Sequence, residues 1–167
     1  MHGIPSFSVR CLILTISDTR SMATDKSGQL IQTLLCENDH EVVERKVIPD
    51  NMTVIRSSIL EACRNPDIDV ILTTGGTGIS YRDVTIETID EILDKELTGF
   101  GELFRMLSYT EDIGAAAMMS RAIAGSYKHK AIFAMPGSSG AVKLALNKLI
   151  LPELSHVVYE IQKDISK

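Results

Sequence analysis

VRCLILTI, at residues 9–16, is the stretch of this 167-residue chain that decides its fold class. The run is nearly continuously apolar, which is typical of a strand buried on both faces of a parallel sheet. VILTT at residues 70–74 and AIFA at residues 131–134 have the same character, and EVVERKVI at residues 41–48 is a more mixed strand. These runs predict four strands of one sheet.

Segments with apolar residues at helical spacing separate and follow these strands. They predict helices over residues 27–38, 53–64, 84–93, 102–124 (two helices broken near 112–114), 141–150 and 153–163. Alternating strands and helices form βαβ units, whose right-handed crossovers place helices on both faces of the sheet. The predicted fold is therefore one α/β domain over residues 1–167, a three-layer α/β/α sandwich around a mostly parallel sheet.

The charge balance limits the classes of partner. The chain has 22 acidic and 17 basic residues and a net charge of −5. This balance argues against a nucleic-acid surface, which needs a basic patch. An anionic ligand would instead be bound locally, by backbone amides, a few cationic side chains and a divalent cation.

The cysteines and histidines do not form a metal-ligand pattern. Cys11, Cys36 and Cys63 lack ligand spacing, and their odd number gives no disulfide framework. We expect them to pack as small apolar side chains and expect no structural zinc. The sequence also has no basic-apolar leader and no apolar run of about 18 residues, so we predict a cytoplasmic protein without a membrane segment.

Four loops follow the four predicted strands, at the edge of the sheet where ligands of such folds bind. They are residues 17–20 (SDTR), 49–51 (PDN), 75–83 (GGTGISYRD) and 136–140 (PGSSG). Two loops are rich in glycine and hydroxyl groups, and three carry an aspartate. Glycine lets a ligand approach the backbone, and carboxylates beside phosphates are typical of Mg²⁺ sites. The joint pattern predicts a metal-assisted site for a phosphorylated ligand.

Each feature alone also has a plainer interpretation. The two glycine-rich loops can be ordinary turns, and the first is neither a Walker A loop nor a dinucleotide fingerprint. Asp83 can cap the helix that begins near Val84, and Asp18 and Asp50 can be turn or capping residues. Ser108-Tyr109 and Ser120-Arg121 are interpreted from the residues alone as polar surface. The convergence of all four loops on one edge favours the ligand site.

A series of spaced motifs resembles the MogA/MoaB family, which includes the G domain of gephyrin. The motifs cover residues 9 to about 156, and the last of them points to the MoaB branch. They are TTGGTG at 73–78, YRDVTIE at 81–87, GFGELFR at 99–105, LSY at 107–109, SRA at 120–122, AG at 124–125, MPGS at 135–138 and LPELSH at 151–156.

The resemblance implies a molybdopterin-binding fold and a function in molybdenum cofactor biosynthesis. The implied reaction is the Mg-ATP-dependent adenylylation of molybdopterin, which gives adenylyl-molybdopterin and pyrophosphate. It further implies self-association into a trimer, with a dimer of trimers as the alternative, and a molybdate-insertion enzyme as partner. Two alternatives stay open: a non-catalytic paralogue that carries molybdopterin, and another nucleotide-dependent enzyme on the same scaffold.

The resemblance also implies roles for individual residues. Asp50 and Asp83 match the family's functional carboxylates, as catalytic residues that hold Mg²⁺. Molybdopterin would be bound by Gly75, Gly76, Thr77, Glu102 and Ser108. The nucleotide would be bound by Ser17, Asp18, Gly137 and Ser138.

Overall fold

A computed structural model describes residues 6–165 of the chain. Its strands are β1 (Arg10–Ile16), β2 (Glu41–Ile48), β3 (Val70–Thr74), β4 (Lys95–Glu96), β5 (Ile123–Tyr127) and β6 (Lys130–Met135). Its α-helices are α1 (Lys26–Glu37), α2 (Met52–Cys63), α3 (Thr85–Ile92), α4 (Thr98–Glu111), α5 (Ser139–Ala145) and α6 (Leu151–Gln162). A 3₁₀ helix, Gly114–Met119, follows α4, and a π-helical turn, Leu146–Ile150, joins α5 to α6.

The six strands form one sheet in the order β2-β1-β3-β6-β5-β4. The neighbours β2 and β1, β1 and β3, and β3 and β6 are parallel. β5 is antiparallel to both of its neighbours, β6 and β4. The prediction of a mostly parallel sheet is therefore confirmed. The four predicted strands are β2, β1, β3 and β6, which are consecutive from one edge of the sheet.

Two apolar cores lie on opposite faces of this sheet, because successive side chains of a strand point to opposite sides. On one face, Ile31 of α1, Phe104 of α4 and Leu154 of α6 pack against alternate residues of β1, β3 and β6. On the other face, Ile59 of α2 and Ile89 of α3 pack against the remaining set. The predicted three-layer α/β/α sandwich is confirmed.

The prediction of two helices over residues 102–124 is only half right. Helix α4 begins earlier, at Thr98, and ends at the predicted break, but the second helix is only the 3₁₀ helix Gly114–Met119, and Ile123–Tyr127 is a strand. The strand is short and contains Gly125, so no strand pattern marks it. A Cβ atom at Gly125 would lie 2.2 Å from the carbonyl oxygen of Lys95. The pairing with β4 on one side and β6 on the other, rather than local sequence, creates this strand.

The last two predicted helices join without a loop. The π-helical turn at Leu146–Ile150 leads from α5 directly into α6, and Pro152 lies in the first turn of α6. A proline ring inside a helix clashes with the carbonyl group four residues earlier, and a local widening of the helix relieves that clash. No helix within residues 6–165 combines the length and the apolarity that a membrane crossing requires.

The three cysteines differ in burial. Cys11 and Cys63 are buried among apolar residues, as expected, and burial raises the pKa of the Cys63 thiol to about 11. The expectation is wrong for Cys36, which is exposed on α1. Cys36 falls outside the apolar stripe that Ile31 and Leu35 form on that helix.

A buried carboxylate ties β1 to β3 at the edge opposite the four loops. Asp69 accepts hydrogen bonds from the backbone amide of Arg10 at 3.0 Å and from its guanidinium at 3.1 and 3.2 Å. Gln162 of α6 also donates to Asp69, at 3.3 Å. Burial alone would raise the pKa of Asp69, but these hydrogen bonds outweigh it and hold the pKa below its ordinary value.

Replacing Asp69 with Asn should therefore lower stability in a pH-dependent manner. A depressed folded-state pKa stabilises the fold above the unfolded-state pKa, about 4, and this contribution disappears as the pH falls toward the folded-state pKa. We expect Asp69→Asn to lower the free energy of unfolding by about 1 to 2 kcal/mol at pH 7 and by less below pH 4. Urea unfolding at several pH values measures this difference. Asp67→Asn, a neighbour with a 76% exposed side chain, should change little. If Asp69→Asn lowered the free energy of unfolding equally at all pH values, the ionised carboxylate of Asp69 would not be the source of the stabilisation.

Candidate functional site

The four predicted loops meet at one edge of the sheet, as expected from the parallel strands that precede them. The amide of Ser17, after β1, donates to the carbonyl oxygen of Ile48, at the end of β2, at 2.8 Å. The amide of Gly75, after β3, donates to Met135 of β6 at 3.0 Å, and the Thr74 hydroxyl donates to Pro136 at 3.1 Å. These bonds join the loops in two pairs at one edge of the sheet, and the region between the pairs is here termed the crevice.

The loop after β3 depends on glycine. Gly75 and Gly76 have φ angles of 96° and 69°, in the left-handed region that favours glycine. A Cβ atom at Gly75 would lie 2.4 Å from the backbone carbonyl oxygen of Ile16, and one at Gly76 would lie 2.3 Å from the hydroxyl oxygen of Thr85. Thr85 is buried and closes the loop, because its hydroxyl donates to the Gly75 carbonyl at 3.1 Å and its amide to the Gly76 carbonyl at 3.1 Å. The turn at Gly75 and Gly76 is thus fixed in a conformation that leaves no room for a side chain at either position.

Asp83 is held at the end of this loop by a turn, not by the following helix. Its carboxylate accepts hydrogen bonds from the amide and hydroxyl of Ser80, at 3.1 and 2.6 Å. Val84 occupies the capping position of α3, which has no side-chain cap. The plainer interpretation of Asp83 as a helix cap is therefore wrong. The carboxylate lies against the glycine loop, since a Cβ atom at Gly78 would be 2.6 Å from it.

Asp50 has a buried oxygen that needs a partner. Its Oδ1 atom is inaccessible to solvent and has no hydrogen-bond donor within residues 6–165. Burial, followed by the nearby charges of Asp18 and Asp83, raises the pKa of Asp50 above its ordinary value. The following residue, Asn51, caps α2 by accepting from the Val54 amide, so Asp50 is not needed for that purpose. A carboxylate oxygen in this state is suited to a proton or a metal cation.

Asp18 joins three of the loops. Its carboxylate accepts the backbone amide of Asp50 at 2.9 Å and the Nε atom of Arg82 at 3.0 Å, and it forms an ion pair with the same guanidinium. Arg82 also donates to the carbonyl oxygen of Asp50 at 3.2 Å. The hydrogen bond from Asp50 and those from Arg82 lower the pKa of Asp18. Arg82 lies within a motif quoted above, but no pattern in the sequence predicts these contacts.

The remaining residues predicted to bind the nucleotide lie at the same edge of the sheet. The Ser17 hydroxyl accepts the amides of Thr19 and Arg20, at 3.1 and 3.0 Å, and so shapes the loop after β1. The Ser138 hydroxyl caps α5 by accepting the Ala141 amide at 3.2 Å. Gly137 lies beside Gly75, because a Cβ atom added at Gly137 would be 3.5 Å from the Cα atom of Gly75. The hydroxyl groups of Ser17 and Ser138 therefore both accept hydrogen bonds from backbone amides at this edge.

Thr77, Glu102 and Ser108 differ in their relation to the crevice. Thr77 is buried within the glycine loop. Glu102 is exposed on α4, and Ser108 is buried farther along the same helix. Within residues 6–165, the hydrogen bonds that join the four loops do not include either α4 side chain. The structure thus places Thr77 in the loop cluster, while the binding roles of Glu102 and Ser108 on α4 stay predictions.

Arg121 is the residue that the residue-by-residue interpretation missed. The sequence pattern favours polar surface for it, but its Nε atom donates to the carbonyl oxygens of Thr77 and Gly78, both at 3.1 Å. Its Nη2 atom donates to the backbone carbonyl oxygens of Gly78, at 2.7 Å, and Asp83, at 3.4 Å. Glu87 of α3 forms an ion pair with the same guanidinium, and the hydrogen bond from Arg121 lowers the pKa of Glu87. The SRA motif was the only signal in the sequence that could have indicated this role.

The donor set at the crevice fits a hard cation held jointly by protein and ligand. No group of three or more His, Cys, Asp or Glu side chains within residues 6–165 is arranged to hold a metal alone. Mg²⁺ typically binds through one or two carboxylates, with water and substrate phosphates completing its shell. Asp50, with its orphaned oxygen, and Asp83 supply two carboxylates beside the same loop. The residues present therefore fit Mg²⁺ bound together with a phosphorylated ligand.

The chain is similar to known proteins over nearly its full length. A "Molybdenum cofactor biosynthesis protein B" from Bacillus cereus is 57% identical over 155 residues, which are 93% of this chain and 92% of that protein. A crystal structure of a protein of the same name has a TM-score of 0.93 at 56% identity and covers 95% of this chain and 98% of that one. The tungsten cofactor synthesizing protein MoaB from Pyrococcus furiosus has a TM-score of 0.83 at 37% identity and covers 94% and 99%. Residues 12–156 match the family described as "Probable molybdopterin binding domain", and the chain belongs to that family.

Proposed function

We propose that the chain acts in molybdenum cofactor biosynthesis as a molybdopterin adenylyltransferase that uses Mg-ATP. The single observation that carries this proposal is the pair of carboxylates beside one glycine loop. Asp50 has a buried, partnerless oxygen, and Asp83 is fixed by Ser80 against the same loop. Pterin binding alone does not require two acidic groups beside this glycine loop. A metal-assisted reaction at phosphate does require them, because carboxylates hold the metal ion.

In this proposal the crevice divides into two halves. Molybdopterin and its terminal phosphate bind at Gly75, Gly76 and Thr77, with Glu102 and Ser108 approaching from α4. The nucleotide binds along the loops of β1 and β6, at Ser17, Asp18, Gly137 and Ser138. The order of the strands supports this division, since β3 lies between β1 and β6 and its loop is central.

The reaction joins the two ligands at phosphorus. An oxygen of the molybdopterin phosphate attacks the α-phosphorus of ATP, the bond from that phosphorus to the α,β-bridging oxygen breaks, and pyrophosphate leaves with the electron pair. Asp50 and Asp83 hold Mg²⁺, which neutralises phosphate charge when bound. The chain's residues otherwise act by positioning, as is general for phosphoryl transfer. Arg82, which is held by Asp18 and the carbonyl oxygen of Asp50, supplies an exposed cation at this edge of the sheet.

A labelled-product assay tests this function. Purified protein is incubated with molybdopterin, Mg²⁺ and ATP labelled at the α-phosphate, and adenylyl-molybdopterin is separated by chromatography. Label in that product supports the proposal. Molybdopterin binding without product would favour the non-catalytic carrier, and ATP turnover without molybdopterin dependence would favour another nucleotide-dependent enzyme.

The protein is further proposed to work in the cytoplasm and to pass its product to a molybdate-insertion enzyme. Adenylylation makes the molybdopterin phosphate a mixed anhydride with AMP as its leaving group. Metal insertion that consumes this anhydride and releases AMP is the expected next step. Co-elution of the two proteins in the presence of adenylyl-molybdopterin, but not of ATP alone, would support this order.

Self-association into a trimer, or a dimer of trimers, is proposed through the outer surface of α4 and the following 3₁₀ helix. Met106 and Tyr109 are 57% and 59% exposed, and Met118 is 81% exposed. They line one groove together, and contiguous apolar surface of this kind marks association sites. Light scattering should give three or six times the 18.3 kDa chain mass. Met118→Asp should lower that mass, and Met52→Asp, at an exposed methionine of α2, should not. A wild-type monomer would contradict the proposal.

A further inference from the structure

We propose that Arg121 is a positioning residue that orients the peptide groups of the glycine loop, so that the amides of Gly78 and Ile79 become donors for an anionic phosphate oxygen. The inference rests on the proposed function, because it takes the ligand of this loop to carry a phosphate. It adds a residue from a separate element, next to β5, to the loop that follows β3.

The first step of the argument is the arrangement of carbonyl groups. The Arg121 guanidinium accepts no hydrogen bonds and donates to three backbone carbonyls, those of Thr77, Gly78 and Asp83. All three carbonyls therefore point toward the same cation. Two of them belong to consecutive residues, which fixes two consecutive peptide planes.

The second step follows from peptide geometry. In a trans peptide group, the carbonyl of one residue and the amide of the next point in opposite directions. Because the Thr77 and Gly78 carbonyls face Arg121, the amides of Gly78 and Ile79 face away from it. Consecutive amides that point the same way form a concave anion-binding site. The next amide, that of Ser80, donates instead to the Asp83 carboxylate at 3.1 Å, so the oriented pair ends beside a carboxylate that holds the metal in the proposed function.

The third step concerns how the guanidinium itself is held. Both of its terminal nitrogens contact Glu87, one by the ion pair and the other at 3.1 Å. Glu87 lies in the first turn of α3, which begins just after Asp83. The Arg121 side chain is 29% exposed, so the pair is partly shielded from water. A lysine at this position could supply the charge but not the planar, several-donor geometry.

The test is a titration of ¹⁵N-labelled protein with inorganic phosphate, followed by the amide signals of Gly78 and Ile79. In the wild type these two signals should shift on titration. Arg121→Lys should weaken the apparent affinity reported by them by about tenfold, the loss expected when about two amide donors are misdirected. Glu87→Gln should weaken it by less, because the carbonyl contacts of Arg121 remain. Arg56→Lys, on the exposed side of α2, is the matched control.

The outcomes separate this inference from the proposed function. Phosphate-dependent shifts at Gly78 and Ile79 that Arg121→Lys weakens would support the inference even if no adenylyl-molybdopterin forms. Unchanged shifts in Arg121→Lys, or wild-type shifts that exclude these two amides, would overturn it even if the enzyme is active. Glu87→Gln keeps the arginine in place, so it reports on the same amides if Arg121→Lys does not fold.

Discussion

Replacing Asp83 with Asn is expected to lower the rate of adenylyl transfer at least about 100-fold, while molybdopterin still binds. The size follows from the effect of removing one electrostatic contact at a reacting phosphate. Asn is nearly isosteric and can still accept from Ser80, whose amide and hydroxyl bind the native carboxylate at 3.1 and 2.6 Å. The loop should therefore keep its shape and lose only a charge. Turnover at saturating ATP and molybdopterin, with a separate pterin-binding measurement, checks both parts.

Asp90→Asn is the matched control for Asp83→Asn. Asp90 is exposed on α3, the helix that begins after Asp83, so this variant makes the same chemical change seven residues away. It should retain wild-type turnover. If the two variants have equal turnover, Asp83 does not hold the metal, and the assignment of a catalytic role to it is wrong.

Gly75→Ala should both destabilise the fold and disable the site. An added Cβ would lie 2.4 Å from the Ile16 carbonyl oxygen, and the residue has a φ of 96°. The left-handed conformation disfavours a side chain by about 1 to 2 kcal/mol, and the overlap with backbone adds about 1 to 2 kcal/mol. We expect a loss of about 3 kcal/mol in the free energy of unfolding. Urea unfolding measures this loss, and pterin affinity measures the displacement of the loop.

Two other glycines separate the cost of the left-handed backbone conformation from the cost of the contact with Ile16. Gly114 also has a positive φ, 63°, but an added Cβ would meet nothing within 4 Å, so Gly114→Ala should show the conformational term alone. Gly99 lies in α4 with open space around it, so Gly99→Ala should stabilise the fold slightly. A Gly75→Ala variant no less stable than Gly114→Ala would show that the contact with Ile16 is unimportant.

The central part of the fold could be predicted because its signals are local. A strand such as β1 is buried on both faces and is apolar throughout, and the helices beside it repeat their apolar residues at helical spacing. β5 could not be predicted in this way. It is held by strands on both sides, and Gly125 is required by the approach of Lys95 rather than by any pattern within the strand.

The candidate site divides along the same line. The convergence of Asp18, Asp50 and the glycine loop follows from strand direction, which the sequence pattern indicates. The contacts made by Arg121 and Arg82 do not follow from it, because each joins segments that are far apart in the chain. Side-chain direction at a loop is set by the packed structure. The assignment of Arg121 to polar surface failed for this reason.

The most direct test of the proposed site is a crystal structure of the protein with Mn²⁺ in place of Mg²⁺ and an ATP analogue that has a methylene bridge between its α- and β-phosphates. The anomalous signal of manganese locates the metal independently of the protein atoms. We expect the metal about 2.1 Å from carboxylate oxygens of Asp50 and Asp83, with an α-phosphate oxygen in its shell. Nucleotide and metal bound elsewhere, with both carboxylates uncoordinated, would contradict the proposed site.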